Sequence, residues 1–465
     1  MPLSSALTRF REIPNLDRSK APVLFDDLGA RVFTNESIYP AHISTSETAY
    51  RLLGLFRLWN AIEYYSPYKD IMDYDWNEML IEYIPKMIER TDRESYYLTL
   101  FAMSAKVNDG HVYFDNETPV LNARFGGDYN SSVIIGSGGE QIALPVVFER
   151  AEGQIVVRKI IGNRFLQPGD VVLSIGGVGI SEIIEERKQF IAVPNDEKLK
   201  RVLPYLPLYK SSAPEVTVLR NGEEFTGTVR AIRWNSASFE DPYYESIKKS
   251  HELLENNIGL INPLLFSYDQ VSAVMEEFSG TSGLIIDLRQ YPTSPAMLLM
   301  PEYLLNEIEP YALWSIPFIP VLGLFLDASI AYADPGLRIS DDEYAALGLE
   351  PSESAEPYFY DRQVAILMNQ KSQSYGETMI MCLRTGPNVT VIGSNSIGAN
   401  GNVAYLPLPC GATMTFSSVG TYTPDGGQTQ RIGLIPDIYV ERTIDGIRDG
   451  RDELMEAAIE FLLGA

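Results

Sequence analysis

A chain of 465 residues, 45% hydrophobic and 21% charged, is too long for one core and divides into about three domains, with a composition that leaves no room for large-scale disorder. Sixty-two acidic against 37 basic residues give a net charge of −25, a field that repels phosphate backbones and anionic lipid and argues against nucleic-acid or membrane-surface partners. Two cysteines exclude a disulfide framework, and the three histidines, His42, His111 and His251, are scattered, so no metal or other cofactor is expected.

The opening residues, Met1-Pro2-Leu3-Ser4-Ser5, lack the charged region and apolar stretch of a signal peptide. Ser44 with Glu47 reads as a capping box, and Leu52, Leu55, Phe56, Trp59 and Ile62 then recur at near-helical spacing. Two more helical patterns run near Trp76 to Glu89 and Glu94 to Val107. The last stops at Asn108-Asp109-Gly110, a turn signal that leaves His111 just beyond a helix end.

From about Leu144 short β-rich runs take over. Val146-Val147-Phe148, a turn at Glu152-Gly153 and Ile155-Val156-Val157 predict a hairpin. Pro168-Gly169-Asp170 is a tight turn feeding a strand from Val171 to Ile175, with a second turn at Gly176-Gly177. A helix near Ile180 to Phe190 follows, and strands at Val216 to Arg220 and Thr226 to Ile232 flank Asn221-Gly222. After Trp234, Ile258 to Ile261, Gly283 to Leu288, Val364 to Met368 and Val389 to Gly393 are unbroken apolar runs, suited to strands covered on both faces of an α/β sheet. Tyr311 to Leu326 is apolar but short and carries Pro317 and Pro320, which predicts buried loop or strand and not a membrane span.

Between the strand ending at Asn369 and a helical pattern from Tyr375 to Arg384 stands Lys371-Ser372-Gln373-Ser374. A hydroxyl at a strand-to-helix turn is projected away from the backbone, and the first N–H groups of the helix face the oxyanion that forms on attack. Ser374 with Glu377 also fits an ordinary capping box, so the spacing by itself leaves a structural role open.

Wider context favours chemistry. Ser374-Tyr375-Gly376-Glu377, Ile392-Gly393 with Ser396-Ile397-Gly398, Pro424-Asp425-Gly426 and Gly433-Leu434-Ile435-Pro436-Asp437 together resemble the core signatures of the C-terminal processing (tail-specific) serine peptidases. The Gln167–Gly177 stretch resembles the PDZ domain of that family. The resemblance implies an α/β multidomain protein: an N-terminal helical region over 1–125, a PDZ-like β domain over 140–233 and a crotonase-like α/β peptidase core over 234–465. It implies Ser374 as nucleophile. The family's usual lysine base is missing, because its place is Gly398-Ala399-Asn400. The tricorn-like branch uses a histidine in an Asp-Gly-His context, which Asp109-Gly110-His111 matches, and an imidazole titrating near 6.5 suits a base at neutrality.

That branch carries a Glu where this chain has Gln430. Gln430 is the expected orienter of His111, its amide oxygen accepting from the imidazole; on that reading Gln430→Glu raises the rate. The family's paired glycines of the oxyanion loop are replaced by Thr293-Ser294, which leaves the N–H groups of Thr293 and Tyr375 as oxyanion donors and predicts strain if the loop is left-handed there. The implied partner is a polypeptide, captured by strand addition to the PDZ-like domain, although Pro145 removes one donor where that strand begins. By resemblance the protein is expected in the periplasm or cell envelope. The alternative is a non-catalytic binding protein on the same fold, which Gln430 and the lost glycine pair favour.

Overall fold

In the computed structural model, residues 23–25, 30–33, 45–89, 92–115, 142–202, 211–233, 246–317, 325–336 and 358–464 are described. The expected cap Ser44 lies outside them. The helix that follows runs Thr48–Tyr65 with Glu47 at its N-cap and no side-chain cap bond.

The unbroken apolar runs build a six-stranded sheet in the order His251–Leu253, Ile258–Ile261, Gly283–Asp287, Val364–Met368, Val389–Gly393, Ile438–Tyr439. The first pair is antiparallel and the rest parallel. Successive residues of a strand point to opposite faces, and here both faces are covered. Leu284, Ile286, Val364, Ile366 and Met368 enter one core with Met275, Phe278, Met300 and Ile380. Ile285, Ala365, Leu367 and Ile392 enter another beneath Leu454 and Ala458 of the C-terminal helix Glu453–Leu463.

The carboxyl ends of three neighbouring strands lead into Leu288–Ser294, Asn369–Ser374 and Ser394–Gly401, and a crevice at that edge is where open α/β sheets carry their sites. A buried cation fixes this edge. Arg289 donates to both oxygens of Asp287 at 2.9 and 2.6 Å and to Asp452 at 2.7 and 3.0 Å, joining a central strand to the N-cap of the last helix.

Three helices, Thr48–Tyr65, Trp76–Glu89 and Arg93–Ala105, form a second layer. Their apolar faces share a core with Ala404, Leu406, Met414 and Phe416. These late residues lie on the hairpin strands Val403–Pro407 and Thr413–Ser417, which belong to a five-stranded sheet with Leu24–Phe25, Arg31–Val32 and Tyr113–Asp115. The region expected over 1–125 therefore does not close its core alone. Pairing across some 300 residues, as in Met414 opposite Phe114, leaves no trace in local periodicity.

The β-rich segment forms a separate antiparallel sheet in the order Glu223–Thr228, Glu215–Arg220, Val171–Ile175, Gln154–Ile160, Val146–Ala151, with Val178–Gly179 paired to Val171–Ile175 and the helix Ile180–Lys188 packed on it. The unit is docked. Ile447 packs with Ala151, Val156 and Val171, and Arg442 pairs with Glu149. The apolar stretch near Tyr311 supplies Glu309–Pro317, which pairs with Phe325–Ala333 and Gly420–Tyr422. Among the described residues no helix is long and apolar enough to cross a membrane, and no group of His, Cys, Asp or Glu is placed to hold a metal ion.

Arg289→Met removes the cation that pairs with the fully buried Asp287. Leaving a buried carboxylate uncompensated costs about 3–5 kcal/mol, and equilibrium urea unfolding of the variant should lose stability on that scale.

Candidate active site

Ser374 ends the turn that follows Val364–Met368 and is the N-cap of the helix Tyr375–Leu383. Its backbone sits at φ 53°, ψ −120°, a region that residues with a Cβ avoid. Two bonds hold it there: its N–H donates to the Ala399 carbonyl at 2.9 Å, and Glu377 accepts the same N–H at 3.3 Å. Ser372 is committed elsewhere. It is buried, and its hydroxyl donates to the Leu288 carbonyl at 2.7 Å and accepts from the Asn369 N–H at 3.2 Å.

Glu377 is the anchor of the turn. Its buried carboxylate accepts from the Ser396 hydroxyl, the Gly398 N–H at 2.9 Å and the Ala399 N–H at 3.1 Å, in addition to Ser374. Burial pushes its pKa up to about 7, against the pull of those four donors. Gly398 is held at φ +71°, and a Cβ there would lie 2.7 Å from the Gly433 nitrogen, so this position admits glycine alone.

His111 follows the helix Arg93–Ala105 and precedes the strand Tyr113–Asp115. That strand pairs antiparallel with Thr413–Ser417, with Thr415 opposite Tyr113, so the same register carried two residues further sets Ser417 opposite His111. His111 Nδ1 and Ser417 Oγ are 2.8 Å apart. The turn itself packs toward the Ser374 turn: a Cβ on Gly110 would lie 2.7 Å from the Ala399 side chain, and Ala399 is the residue whose carbonyl holds the Ser374 N–H.

Gln430 does not touch the imidazole. It is buried, its amide nitrogen donates to Asp109 Oδ1 at 2.9 Å, and its oxygen accepts from the Asn400 N–H at 3.4 Å. The expected direct bond to His111 is therefore replaced by a bond to the carboxylate two residues before it. Asp109 also accepts from the His111 N–H at 2.9 Å, the Ser417 N–H at 2.6 Å and the Ser417 hydroxyl at 3.0 Å. Sequence reasoning took Asp109 as part of a turn and of the Asp-Gly-His context of His111, and gave it no role of its own. Ser417 carried no signal, because strand pairing brings it in.

The docked β unit also reaches this region. Asn195, just before the helix Asp196–Val202, donates to the Ile397 and Arg431 carbonyls at 2.8 and 2.6 Å. Lys198 donates to the Gly110 carbonyl at 2.9 Å, and Arg201 to the Lys371 carbonyl at 2.7 Å. Burial lowers Lys198 to about 7 and His111 to about 4; the nearby cations Lys198 and Arg201 push His111 the same way, while Asp109 opposes them.

The N–H of Tyr375 makes no bond among the described residues, as an oxyanion donor requires. Thr293 lies on the neighbouring loop, exposed, its hydroxyl on the Leu264 carbonyl at 2.7 Å, and Pro292 Cδ would be 3.7 Å from a Cβ on Gly376. The feared strain is absent: Ser294 is extended at φ −125°, and Thr293 is not left-handed.

Residues 330–440, which span the Ser374 turn, the Ser396–Gly398 loop and Gln430, match peptidase family S41. That stretch is what the chain shares in sequence with the S41 peptidases. A carboxy-terminal-processing protease of Bartonella bacilliformis is 29% identical over 92 residues, 20% of this chain and 21% of that protein, so the match spans about a fifth of the curated relative. Mature CPAF complexed with lactacystin superposes with a TM-score of 0.59 at 13% identity, covering 89% of this chain and 98% of that one. Mature CPAF gives 0.58 at 12% identity, with 89% and 96% covered. At these identities the likeness is one of fold, a mixed α/β multidomain arrangement shared with S41 peptidases.

The strained backbone of Ser374 carries a stability cost. Ser374→Gly relieves the Cβ clash at φ 53° and should raise unfolding stability by about 1 kcal/mol, read as a higher urea midpoint at unchanged slope.

Proposed function

We propose that this chain is a serine peptidase acting on polypeptides, with Ser374 as nucleophile and His111 as general base. The observation that carries the reading is the φ 53°, ψ −120° backbone of Ser374 at a strand-to-helix turn, maintained against its strain by a saturated Glu377. Strain held so firmly at one hydroxyl has a use when that hydroxyl must project toward a substrate.

In the proposed reaction His111 Nε2 takes the Ser374 proton while the oxygen's electron pair forms a bond to the scissile carbonyl carbon. The carbonyl electrons move to oxygen, which receives N–H donation from Tyr375 and, on the opposite side, Thr293. Collapse breaks the C–N bond, and the proton on Nε2 passes to the departing amine. Water repeats the sequence on the acyl-enzyme.

The β unit, residues 140–233, is read as a PDZ-like domain that guides the substrate, and the sheet of Ile258–Ile438 as a crotonase-like core. Val146–Ala151 closes one end of its sheet, which is compatible with strand addition by an extended peptide. The binding-protein reading drew on Gln430 standing where a carboxylate was expected. Asp109 supplies a buried carboxylate in that neighbourhood, so Gln430 no longer argues for it.

A fluorophosphonate probe followed by peptide mapping tests the reading: the wild-type chain should label at Ser374, Ser374→Ala should not label, and both casein hydrolysis and labelling should be lost together. Absence of both in the wild type would reject the peptidase. The pH profile gives an independent expectation. A base must be neutral to act, and burial with the Lys198 and Arg201 charges holds His111 neutral down to about pH 4, Asp109 pulling the other way. Lys198 keeps its charge below about pH 7, so this repulsion persists across the acid range. The acid limb of kcat/KM should thus fall below pH 6; a limb near 7 would instead follow Glu377.

A further inference from the structure

We infer that Asp109 and Ser417 are the positioning residues of this site: Ser417 relays the Asp109 carboxylate to the imidazole and fixes His111 in the tautomer protonated at Nδ1, while Gln430 is matched to Asp109 and not to histidine. The inference deepens the peptidase reading, but its central statement concerns a proton position that can be measured without any substrate.

Hydrogen-bond bookkeeping fixes the direction of each bond. Asp109 faces four donors: the backbone N–H groups of His111 and Ser417, the amide of Gln430 and the Ser417 hydroxyl. The first three can only donate, so the carboxyl group is used as an acceptor throughout. Ser417 Oγ carries one proton. At 3.0 Å from Asp109 Oδ1 that proton goes to the carboxylate, because a hydroxyl donating to a charged acceptor makes the stronger bond. Its remaining lone pair then faces His111 Nδ1 at 2.8 Å, and two facing lone pairs would repel, so Nδ1 must carry the hydrogen. Nε2 is left unprotonated. It makes no hydrogen bond among the described residues, and it is not among the fully enclosed unpaired atoms. That is the atom a general base needs free.

The relay also accounts for Gln430. A carboxylate at that position would meet Asp109 Oδ1 at about the 2.9 Å now spanned by the amide bond. Two carboxylates so placed, both buried, cannot ionise together; one must take a proton or the pair must separate. Either outcome disturbs the acceptor on which Ser417 depends. The amide donates, costs no charge, and closes the fourth side of Asp109 through a residue whose own oxygen is bound to Asn400 N–H. Gln430→Glu should therefore slow the enzyme, the reverse of the gain expected when Gln430 is taken to contact His111.

With only three histidines in the chain, ¹⁵N-histidine labelling of the full protein, assigned through His42→Gln and His251→Gln, resolves the His111 ring directly. The expected result at pH 7 is His111 protonated at Nδ1, with Ser417→Ala shifting population to the Nε2-protonated form and Ser417→Thr, which keeps the hydroxyl, restoring it. His111 protonated at Nε2 in the wild type, or a tautomer indifferent to Ser417→Ala, overturns the relay. The second arm is the rate of fluorophosphonate labelling at pH 8. Loss of carboxylate support by amide replacement costs about 10⁴ in Ser-His-Asp enzymes, partly through the wrong tautomer, so Ser417→Ala and Gln430→Glu should each slow labelling by roughly tenfold or more. Gln430→Glu labelling as fast as wild type or faster also overturns the proposal. If the wild type fails to label while the tautomer result holds, the peptidase reading falls and the relay stands.

Discussion

A carboxylate taken out of water must be saturated with donors, and two such groups, Asp109 and Glu377, organise this molecule. Glu377 draws together the turn after Val364–Met368 and the loop after Val389–Gly393. Asp109 draws together the end of the helical layer, the late strand Thr413–Ser417 and Gln430. The two networks abut at Ala399 and Asn400: the first N–H of that pair belongs to Glu377 and the second to Gln430. An unpaired buried donor or acceptor costs about 1–3 kcal/mol, so neither cluster tolerates loss of one arm without moving the others. Residues from five distant parts of the sequence are joined by these satisfied polar groups.

This division of labour explains which features were legible in the sequence. Strands whose two faces are both buried announce themselves as apolar runs, so Ile258–Ile261, Val364–Met368 and Val389–Gly393 were read with their observed limits, as was the helix Trp76–Glu89. Local rules suffice when local burial is complete. The hairpin Val403–Ser417 was not separated from the C-terminal region, because beyond its own turn its partners are Tyr113–Asp115 and Arg31–Val32, far away in sequence. Ser374, His111 and Gln430 were singled out by motif. Asp109 was seen without its role, and Ser417 was invisible, since an alternating strand residue carries no mark of the side chain it will meet across the sheet.

The docked β unit adds a constraint of a different kind. Asn195, Lys198 and Arg201 donate to main-chain carbonyls of four separate segments, at Ile397, Arg431, Gly110 and Lys371. Carbonyls left by irregular loops at the carboxyl edge of the sheet need donors, and one short helix supplies them. The same helix brings two cations beside His111 in a chain whose net charge is strongly negative. Burial is the main cause of the lowered basicity of the imidazole, and the helix that satisfies these carbonyls adds to it. Any movement of this helix would release carbonyls and change the field on the base together.

Position 430 answers to Asp109 and not to the histidine. A buried site near an imidazole tolerates one carboxylate readily, because each further one raises the cost of ionising the rest. Here that single charge comes from Asp109, in the same turn as the histidine it supports, where the His111 N–H is already one of its donors. With the charge supplied from this side, a donor amide at 430 is what the remaining lone pair of Asp109 requires, and a second acid would be in conflict with the first. Gln430 and Asp109 are a matched donor and acceptor. Reading position 430 alone suggests a weakened site, whereas reading it with Asp109 and Ser417 restores a complete chain of donors and acceptors ending at a free Nε2.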